Sequence, residues 1–259
     1  MAEPGNNKDF LKTLDRGLAV IKSFDGDTPR MTLSQVAHKT SMSRASARRF
    51  LLTLENLGYV IKVDGGFQLT ARILEIGHQF LSNLNFIEVI TPFMRELSRK
   101  LYKACSASIL NDSDIVYVAR IPSQHQILSV NLNIGSRLPA YCTSMGRILL
   151  GNLAEEELEM HLDNTDLKSY TPFTVTDKRK LIELIQLAKK EGYCIVNQEL
   201  EENLYAIAVP VRNKDGTILC AINVGMPVGQ VKMKEIKATY LPALKEAAAK
   251  SEVILAHHR

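Results

Sequence analysis

The sequence predicts an α+β protein of two domains, a small winged helix-turn-helix domain followed by a larger domain of mixed helices and strands. Its 259 residues exceed the length of one average domain, and 46% hydrophobic residues allow each of two domains to bury a core. Near the N-terminus, helical hydrophobic spacing gives way to a hairpin pattern, and from Phe86 onward helical and strand patterns mix. We expect domains at 1–70 and 86–259, joined by a linker helix at 71–85.

The composition narrows the class of protein. A formal net charge of +4 permits a nucleic-acid partner without requiring one. The four cysteines are widely spaced and form no CxxC pair, so neither a metal site, nor another cofactor, nor a disulfide framework is expected. No run approaches the roughly 20 apolar residues that cross a bilayer, and the first twelve residues are polar. We expect a soluble cytoplasmic protein without membrane contact.

Three helices and two strands are expected in the first domain. Hydrophobic spacing predicts the helices at 10–24, 33–39 and 43–57. Thr32 and Ser43 are the expected N-caps, and Gly58 ends the third helix. The strands are expected at 59–63 and 67–70, joined by the Asp-Gly-Gly turn at 64–66.

The third helix carries the candidate DNA-binding residues. Residues 28–54 contain no Asp or Glu but five Lys or Arg. In a helix-turn-helix, the second helix of the motif lies in the major groove and its N-terminal residues face base edges. The pattern predicts double-stranded DNA as a partner, with Arg44 and Arg48 reading bases and Arg49 contacting backbone or bases. The full predicted set is Ser43, Arg44, Ala45, Ser46, Arg48, Arg49 and, in the wing, Lys62. The alternative is an ordinary solvated basic face.

The remaining elements follow from the same patterns. The helix at 71–84 has apolar residues on more than one face, which predicts packing against a partner chain. Further helices are expected at 87–101, 144–150, 155–161, 177–191 and 231–255, the last with a break at Pro242. Strands are expected at 104–110, 115–121, 127–132, 193–196, 204–212 and 217–224.

Several segments together resemble the IclR family of bacterial transcriptional regulators. They are 33–37 (LSQVA), 43–54 (SRASARRFLLTL), 57–60 (LGYV), 114–120 (DIVYVAR), 135–147 (GSRLPAYCTSMGR), 192–193 (GY) and 206–211 (AIAVPV). The resemblance spans nearly the whole chain. It implies a sequence-specific regulator that forms a homodimer or a dimer of dimers on a palindromic operator, with a GAF-like effector domain. The segment 139–147 is most similar to the branch that regulates aromatic-acid degradation through the β-ketoadipate pathway, with protocatechuate or 4-hydroxybenzoate as typical inducers.

A small organic acid is therefore the expected effector. Residues 141–146 enter a helix with small and hydroxyl-bearing side chains, which leaves amides for a carboxylate. Asn197, Glu199 and Asn223 match positions that line the pocket in relatives, and Tyr205 and Ala206 lie on the opposing strand. The full predicted set is Tyr141, Cys142, Thr143, Ser144, Met145, Gly146, Asn197, Glu199, Tyr205, Ala206 and Asn223.

Structural roles compete with these effector assignments. Relatives that bind glyoxylate-like acids have cysteine at the position of Ala206 and serine at that of Asn223, which indicates a different pocket here. Ser144 could instead cap its helix, and Cys142 could be a core residue. For Arg120 and Arg137, surface salt bridges are expected rather than ligand contacts.

The alternatives to such a regulator are an enzyme and a DNA-binding protein without an effector. An enzyme would need a catalytic motif, but the sequence has no GxSxG, GxGxxG, Walker or HExxH pattern. An effector-independent DNA-binding protein would leave the large second domain without a role. Neither alternative accounts for the whole chain, so a regulator that is not an enzyme is expected.

Overall fold

A computed structural model describes residues 9–123 and 132–257. The chain divides into two compact units, and the boundary along the sequence lies between Asn83 and Leu84. Each unit has its own hydrophobic core.

The first unit is a winged helix-turn-helix. Its helices are α1 (Lys12–Ser23), α2 (Leu33–Lys39), α3 (Arg44–Asn56) and α4 (Leu74–Ser82), with a 3-10 turn (Ala71–Ile73) before α4. Its strands are β1 (Arg30–Met31), β2 (Val60–Val63) and β3 (Gly66–Leu69), which form an antiparallel sheet in the order β1-β3-β2. This confirms the predicted architecture and adds β1, which was not predicted.

Side-chain caps explain where α2 and α3 begin. Thr32 and Gln35 form a capping box, in which the Thr32 amide donates to Gln35 Oε1 at 2.8 Å and the Gln35 amide donates to Thr32 Oγ1 at 3.4 Å. Ser43 Oγ accepts a hydrogen bond from the Ser46 amide at 3.2 Å. Both predicted N-caps are therefore confirmed. Between the helices, Ser41 has a left-handed φ of 53°, which turns the chain sharply.

The wing turn is one residue shorter than predicted. Asp64 and Gly65 have φ values of 47° and 77°, the left-handed pair of a type I′ turn, and Val63 pairs with Gly66. Gly66 therefore belongs to β3 rather than to the turn. The third helix also ends one residue earlier than predicted, at Asn56, and Leu57, its C-cap, is 52% exposed.

The second unit is a six-stranded antiparallel sheet with helices on both faces. Its strands are β4 (Cys105–Asn111), β5 (Asp114–Ile121), β6 (Arg137–Pro139), β7 (Cys194–Asn197), β8 (Leu204–Arg212) and β9 (Ile218–Pro227), in the order β6-β5-β4-β9-β8-β7. Its helices are α5 (Phe86–Leu101), α6 (Ser144–Leu150), α7 (Glu155–Asp163), α8 (Lys178–Glu191), α9 (Met233–Glu235) and α10 (Leu241–Leu255). This confirms the α+β class.

Alternation along the strands sends side chains to two different cores. On β9, Cys220, Ile222 and Val224 join the core beneath α5 and α10, whereas Ala221 joins the core beneath α6 and α8. Asn223 and Gly225 lie between the residues of the first core, so they share the face of Ala221. This second face of the sheet carries the cavity described below.

One predicted strand is not tested by the structure, one short strand was not predicted, and the closing helix differs from its prediction. The strand expected at 127–132 falls almost wholly on residues 124–131, outside the described residues. Strand β6 was not predicted. The closing helix contains a π-helical segment (Ile236–Tyr240), which ends two residues before Pro242 at the start of α10.

In the part of the chain that the structure describes, no helix combines the length and the apolar character that a membrane span requires.

Candidate functional site

Three arginines form an exposed basic face on α3. Arg44, Arg48 and Arg49 are exposed, while Ala47, Leu51 and Leu54 bury the opposite side of the helix. Within residues 9–123 and 132–257, no hydrogen bond or ion pair engages the side chains of these three arginines. Their charges are therefore available to an external anion.

The other two cations of the acid-free segment are neutralised by acids outside it. Arg30 Nη1 lies 2.9 Å from Asp64 Oδ2, and Lys39 Nζ lies 2.5 Å from Asp25 Oδ2. Hydrogen bonds from Lys39 and then Thr28 lower the pKa of Asp25 below its ordinary value. The free positive charge of residues 28–54 is thus concentrated on α3.

The remaining predicted DNA-binding residues surround this face. Ser43 and Ala45 are exposed, Ser46 is half-buried, and Lys62 is exposed on β2. Arg72, in contrast, has a structural role, because its Nη1 donates to the Leu57 carbonyl at 2.9 Å and its guanidinium lies 5.5 Å from the centre of the Tyr59 ring.

A cavity lies within the second unit, between the second face of the sheet and α6. It is lined by Ala104, Ser106, Tyr117, Arg120, Leu132, Leu138, Cys142, Thr143, Ser144, Met145, Val196, Glu199, Leu200, Glu201, Leu204, Ala206, Asn223 and Gly225. Most of this lining is apolar, with polar groups at a few places, which is the character of a small-molecule site.

A polar row crosses the cavity floor on three neighbouring strands. Ser106 on β4 pairs in register with Arg120 on β5 and with Asn223 on β9. Arg120 Nη1 donates to Ser106 Oγ at 3.3 Å. Arg120 Nη2 is buried and has no hydrogen-bond partner among the described residues. A surface salt bridge was expected for Arg120, and this expectation was wrong.

The opposite wall is the start of α6. Thr143 is the N-cap of this helix, since its Oγ1 accepts from the Gly146 amide at 3.1 Å. Ser144 therefore does not cap the helix, although that was one interpretation of the sequence. Its Oγ is buried on the cavity wall, again without a partner in the described parts of the chain. Arg120 and Ser144 thus each present a polar atom that nothing described satisfies.

The structure brings together seven of the eleven predicted effector residues. The residues that line the cavity are Cys142, Thr143, Ser144, Met145, Glu199, Ala206 and Asn223. The other four do not line it.

Each of those four is directed elsewhere. The Tyr141 hydroxyl donates to the Lys168 carbonyl at 2.5 Å. Gly146 backs onto Ala140, whose backbone leaves no room for a Cβ. Asn197 is exposed at the end of the edge strand β7, and Tyr205 packs on the opposite sheet face from its neighbour Ala206.

Burial keeps the weakly acidic groups of the cavity neutral. Burial raises the pKa of Cys142 to about 12, with a further contribution from Glu199. Burial also raises the pKa of Tyr117 to about 12, against the opposing effect of Arg120. Both groups are therefore protonated at neutral pH, and Cys142 behaves as a small neutral residue.

A buried ion pair supports the cavity from behind. Arg147 Nη2 lies 2.6 Å from Glu199 Oε2, and both residues are buried. Arg147 Nε also donates to the Tyr141 carbonyl at 2.8 Å. This pair fixes Glu199 against α6 and the segment that precedes it.

Sequence reasoning missed much of the cavity floor. Ser106 and Tyr117 were not named as candidates, and Arg120 was assigned to the surface. One signal was present in the sequence: Ser106 and Ser108 alternate with apolar residues in a short buried strand, which marks one face as polar. Arg137 does form the expected surface ion pair, with Nε 3.0 Å from Asp114 Oδ2.

Among the residues that the structure describes, no three His, Cys, Asp or Glu side chains are grouped so as to hold a metal ion.

Family models match both units of the chain. The IclR helix-turn-helix domain matches residues 13–64, and the bacterial transcriptional regulator IclR C-terminal domain matches residues 78–252. These are families of transcriptional regulators rather than enzymes.

Individual relatives agree with the family models. The chain is 39% identical over 240 residues to the Pca regulon regulatory protein of Pseudomonas putida, covering 93% of this chain and 82% of the relative. It is 33% identical over 251 residues to the p-hydroxybenzoate hydroxylase transcriptional activator of Acinetobacter baylyi, covering 95% and 93%.

Solved structures share the fold. A transcriptional regulator from Rhodococcus sp. RHA1 superposes with a TM-score of 0.84 at 42% identity, covering 96% of this chain and 99% of that one. An IclR homolog from Microbacterium hydrocarbonoxydans, crystallised with 4-hydroxybenzoate, superposes with a TM-score of 0.82 at 24% identity, covering 95% and 100%. The winged helix-turn-helix, the cavity-bearing second unit and these similarities lead to one conclusion: the chain belongs to the IclR family of bacterial DNA-binding transcriptional regulators.

Proposed function

We propose that this chain acts in the cytoplasm as a homodimer that binds a palindromic operator, and that a small aromatic acid bound in the cavity controls its affinity for DNA. The names of two relatives support this choice, since one regulates the Pca regulon and another activates p-hydroxybenzoate hydroxylase transcription. The Microbacterium homolog bound 4-hydroxybenzoate in its crystal.

The pair of unsatisfied groups in the cavity carries the effector proposal. Arg120 Nη2 and Ser144 Oγ are buried on the cavity lining without a described partner. A buried donor that is left without a hydrogen-bond acceptor destabilises the protein by about 1–3 kcal/mol, and by more if the donor is charged. A carboxylate satisfies both with charge-assisted hydrogen bonds. The apolar lining, which includes Leu132, Leu138 and Val196, suits an aromatic ring.

The basic face of α3 supports the DNA proposal. Two such faces in a symmetric dimer suit two half-sites of a palindrome. Arg44 and Arg48 stand in the first turns of α3, where base edges are read. Ser43, Ala45, Ser46, Arg49 and Lys62 complete the proposed contact surface.

The proposed division of labour follows the predicted domains. Residues 1–70 bind DNA, 71–85 link, and 86–259 bind the effector and the partner. Effector binding changes the placement of the two recognition helices through the linker. Allosteric coupling of this kind is typically about 1–3 kcal/mol, or roughly 5- to 150-fold in affinity.

The effector proposal is tested by calorimetric titration and thermal shift with 4-hydroxybenzoate, protocatechuate, pyruvate and glyoxylate. An aromatic acid at about 100 times its Kd should stabilise the protein by roughly 2.7 kcal/mol. Arg120→Met should abolish this shift, because it removes the cation at the proposed carboxylate site. Arg137→Met is the matched control, since Arg137 pairs with Asp114 on the surface. If no acid alters stability or DNA affinity, the effector-independent alternative is favoured.

The DNA proposal is tested on a site selected from a random library by the wild-type protein. Arg48→Ala should weaken binding by about 1–3 kcal/mol and relax the base preference at one position. Arg49→Ala distinguishes the two roles, because loss of a phosphate contact reduces the salt slope by about 1 without changing preference. Arg179→Ala, an exposed arginine on α8, is the control. Unchanged affinity in both Arg48→Ala and Arg49→Ala would contradict the assigned DNA-binding surface.

A further inference from the structure

Glu199 is an acidic group on the wall of a cavity that is proposed to bind an acid. It follows the edge strand β7 and is only 6% exposed. Its Oε2 accepts hydrogen bonds from Arg147 Nη2 at 2.6 Å and from the Val175 amide at 3.1 Å. Its main-chain carbonyl accepts from Thr174 Oγ1 at 2.5 Å. The side chain is thus held in one place, and the Arg147 guanidinium balances its charge.

The other carboxylate oxygen has no such partner. Within the described residues, no hydrogen bond reaches Glu199 Oε1. The fully buried side-chain atoms that lack a described partner are Arg120 Nη2 and Ser144 Oγ, and Oε1 is not one of them. An unpartnered Oε1 must therefore reach open space, and the open space beside Glu199 is the cavity. It is a hydrogen-bond acceptor without a donor.

The sheet order separates this acceptor from the proposed carboxylate site. Arg120 lies on β5, whereas Glu199 directly follows β7. Strands β4, β9 and β8 lie between them, and neighbouring strands are about 4.8 Å apart. The cavity therefore has the Arg120 donor near one end and a free acceptor near the other.

We propose that Glu199 Oε1 accepts a hydrogen bond from the ligand, so that the cavity selects aromatic acids that carry a hydroxyl, or another hydrogen-bond donor, on the ring position remote from the carboxylate. This inference rests on the proposed function, because the carboxylate must first be held by Arg120 and Ser144. A site that offers a buried acceptor rejects an analogue that cannot donate to it. Arg147 acts here as a positioning residue, since it holds Glu199 and does not line the cavity.

The first test compares ligands on the wild-type protein. Titration calorimetry with 4-hydroxybenzoate, 4-aminobenzoate, 4-fluorobenzoate and benzoate varies the donor while it keeps the ring and the carboxylate. 4-Hydroxybenzoate and 4-aminobenzoate should bind about 10- to 100-fold more tightly than 4-fluorobenzoate and benzoate, as expected for a hydrogen bond to a charged group.

The second test is Glu199→Gln. The Arg147 and Val175 donors should keep the amide oxygen at the position of Oε2, which turns the amide NH2 toward the cavity. The preference for 4-aminobenzoate over 4-fluorobenzoate should then be lost, because an aromatic amine is a poor acceptor. Glu202→Gln is the matched control, as Glu202 is exposed and does not line the cavity.

The outcomes separate the inference from the proposed function. If all four acids bind wild-type protein equally, the inference is overturned while the effector proposal stands. If none binds, both fail. If donors are preferred but Glu199→Gln keeps the amino-over-fluoro preference, another group accepts the bond and the assignment to Glu199 is wrong. If Glu199→Gln does not fold, the wild-type ligand series decides.

Discussion

Gly146 is a residue that tolerates no side chain. A Cβ at this position in α6 would collide with the backbone of Ala140, which cannot yield as a flexible side chain could. Gly146→Ala should therefore destabilise the second unit by about 1–3 kcal/mol or more, the usual range for overpacking. Denaturant unfolding followed by circular dichroism measures the change.

A second glycine of the same unit provides the control. At Gly225, a Cβ would be 3.5 Å from the nearest atom, Leu204 Cδ1, which is ordinary contact. Gly225→Ala should leave the free energy of unfolding within about 1 kcal/mol of wild type, because Ala also costs less backbone entropy in a strand. Equal effects of the two substitutions would contradict the packing account of Gly146.

Sequence reasoning at the residue scale was reliable where the rule is local. Thr32 and Ser43 were identified as caps because N-cap chemistry depends on residues three positions away. Arg120 was assigned to the surface, since its neighbours in the cavity come from β4 and β9, far away in sequence. Register across three strands cannot be read from one strand alone.

At the scale of elements, an ion network joins α5 to α10. Glu246 lies 2.9 Å from both Lys100 and Lys250, and Lys250 also lies 3.1 Å from Glu96. Hydrogen bonds from the two lysines, with their charges, lower the pKa of Glu246 from 4.5 to about 2. Exposed ion pairs therefore connect α5 to α10 at the surface, in addition to the apolar contacts between the two helices.

The network should make stability depend on pH in a defined window. The pKa of Glu246 is lower in the folded protein than in the unfolded chain. The contribution of its carboxylate to the free energy of unfolding is therefore fully present above pH 4.5 and is lost as the pH falls through about 2. Glu246→Gln should slightly lower the melting temperature at pH 7, since exposed ion pairs contribute little. The difference from wild type should shrink from pH 4.5 downward. A difference that stays constant from pH 7 to pH 2 would show that the charge is not responsible.

Elements with a strong pattern were predicted, and short ones were not. The boundaries of α2 and β8 match the predicted ones. Strands β1 and β6 have two and three residues, too few to show any alternation. They form because they pair with the edges of β3 and β5, and this pairing depends on the tertiary structure.

At the scale of the whole molecule, the first unit leaves apolar side chains uncovered. Leu11, Leu14 and Leu18 of the α1 region are exposed at helical spacing, and Leu74, Ile76 and Phe80 of α4 are exposed as well. Apolar groups in such numbers on one small unit are typical of an interaction surface. They support the proposed dimer, in which a second copy would cover them in addition to the contacts proposed for residues 86–259.

Leu14→Glu should therefore weaken self-association. A charge at this position would be desolvated at the dimer interface, so sedimentation equilibrium should show a higher proportion of monomer and DNA binding should weaken with it. Leu187→Glu, an exposed apolar residue of α8, is the control. An unchanged association constant for Leu14→Glu would exclude α1 from the interface.

The burial of the four cysteines affects how readily their thiols react with electrophiles. All four are buried, and burial raises the pKa of Cys105, Cys142 and Cys194 to about 12 and that of Cys220 above its ordinary value. Burial therefore disfavours the thiolate, which is the reactive form of cysteine. Dihydroxylated aromatic acids oxidise in air to quinones, which alkylate thiolates. Folded in this way, the four cysteines offer little thiolate to such electrophiles.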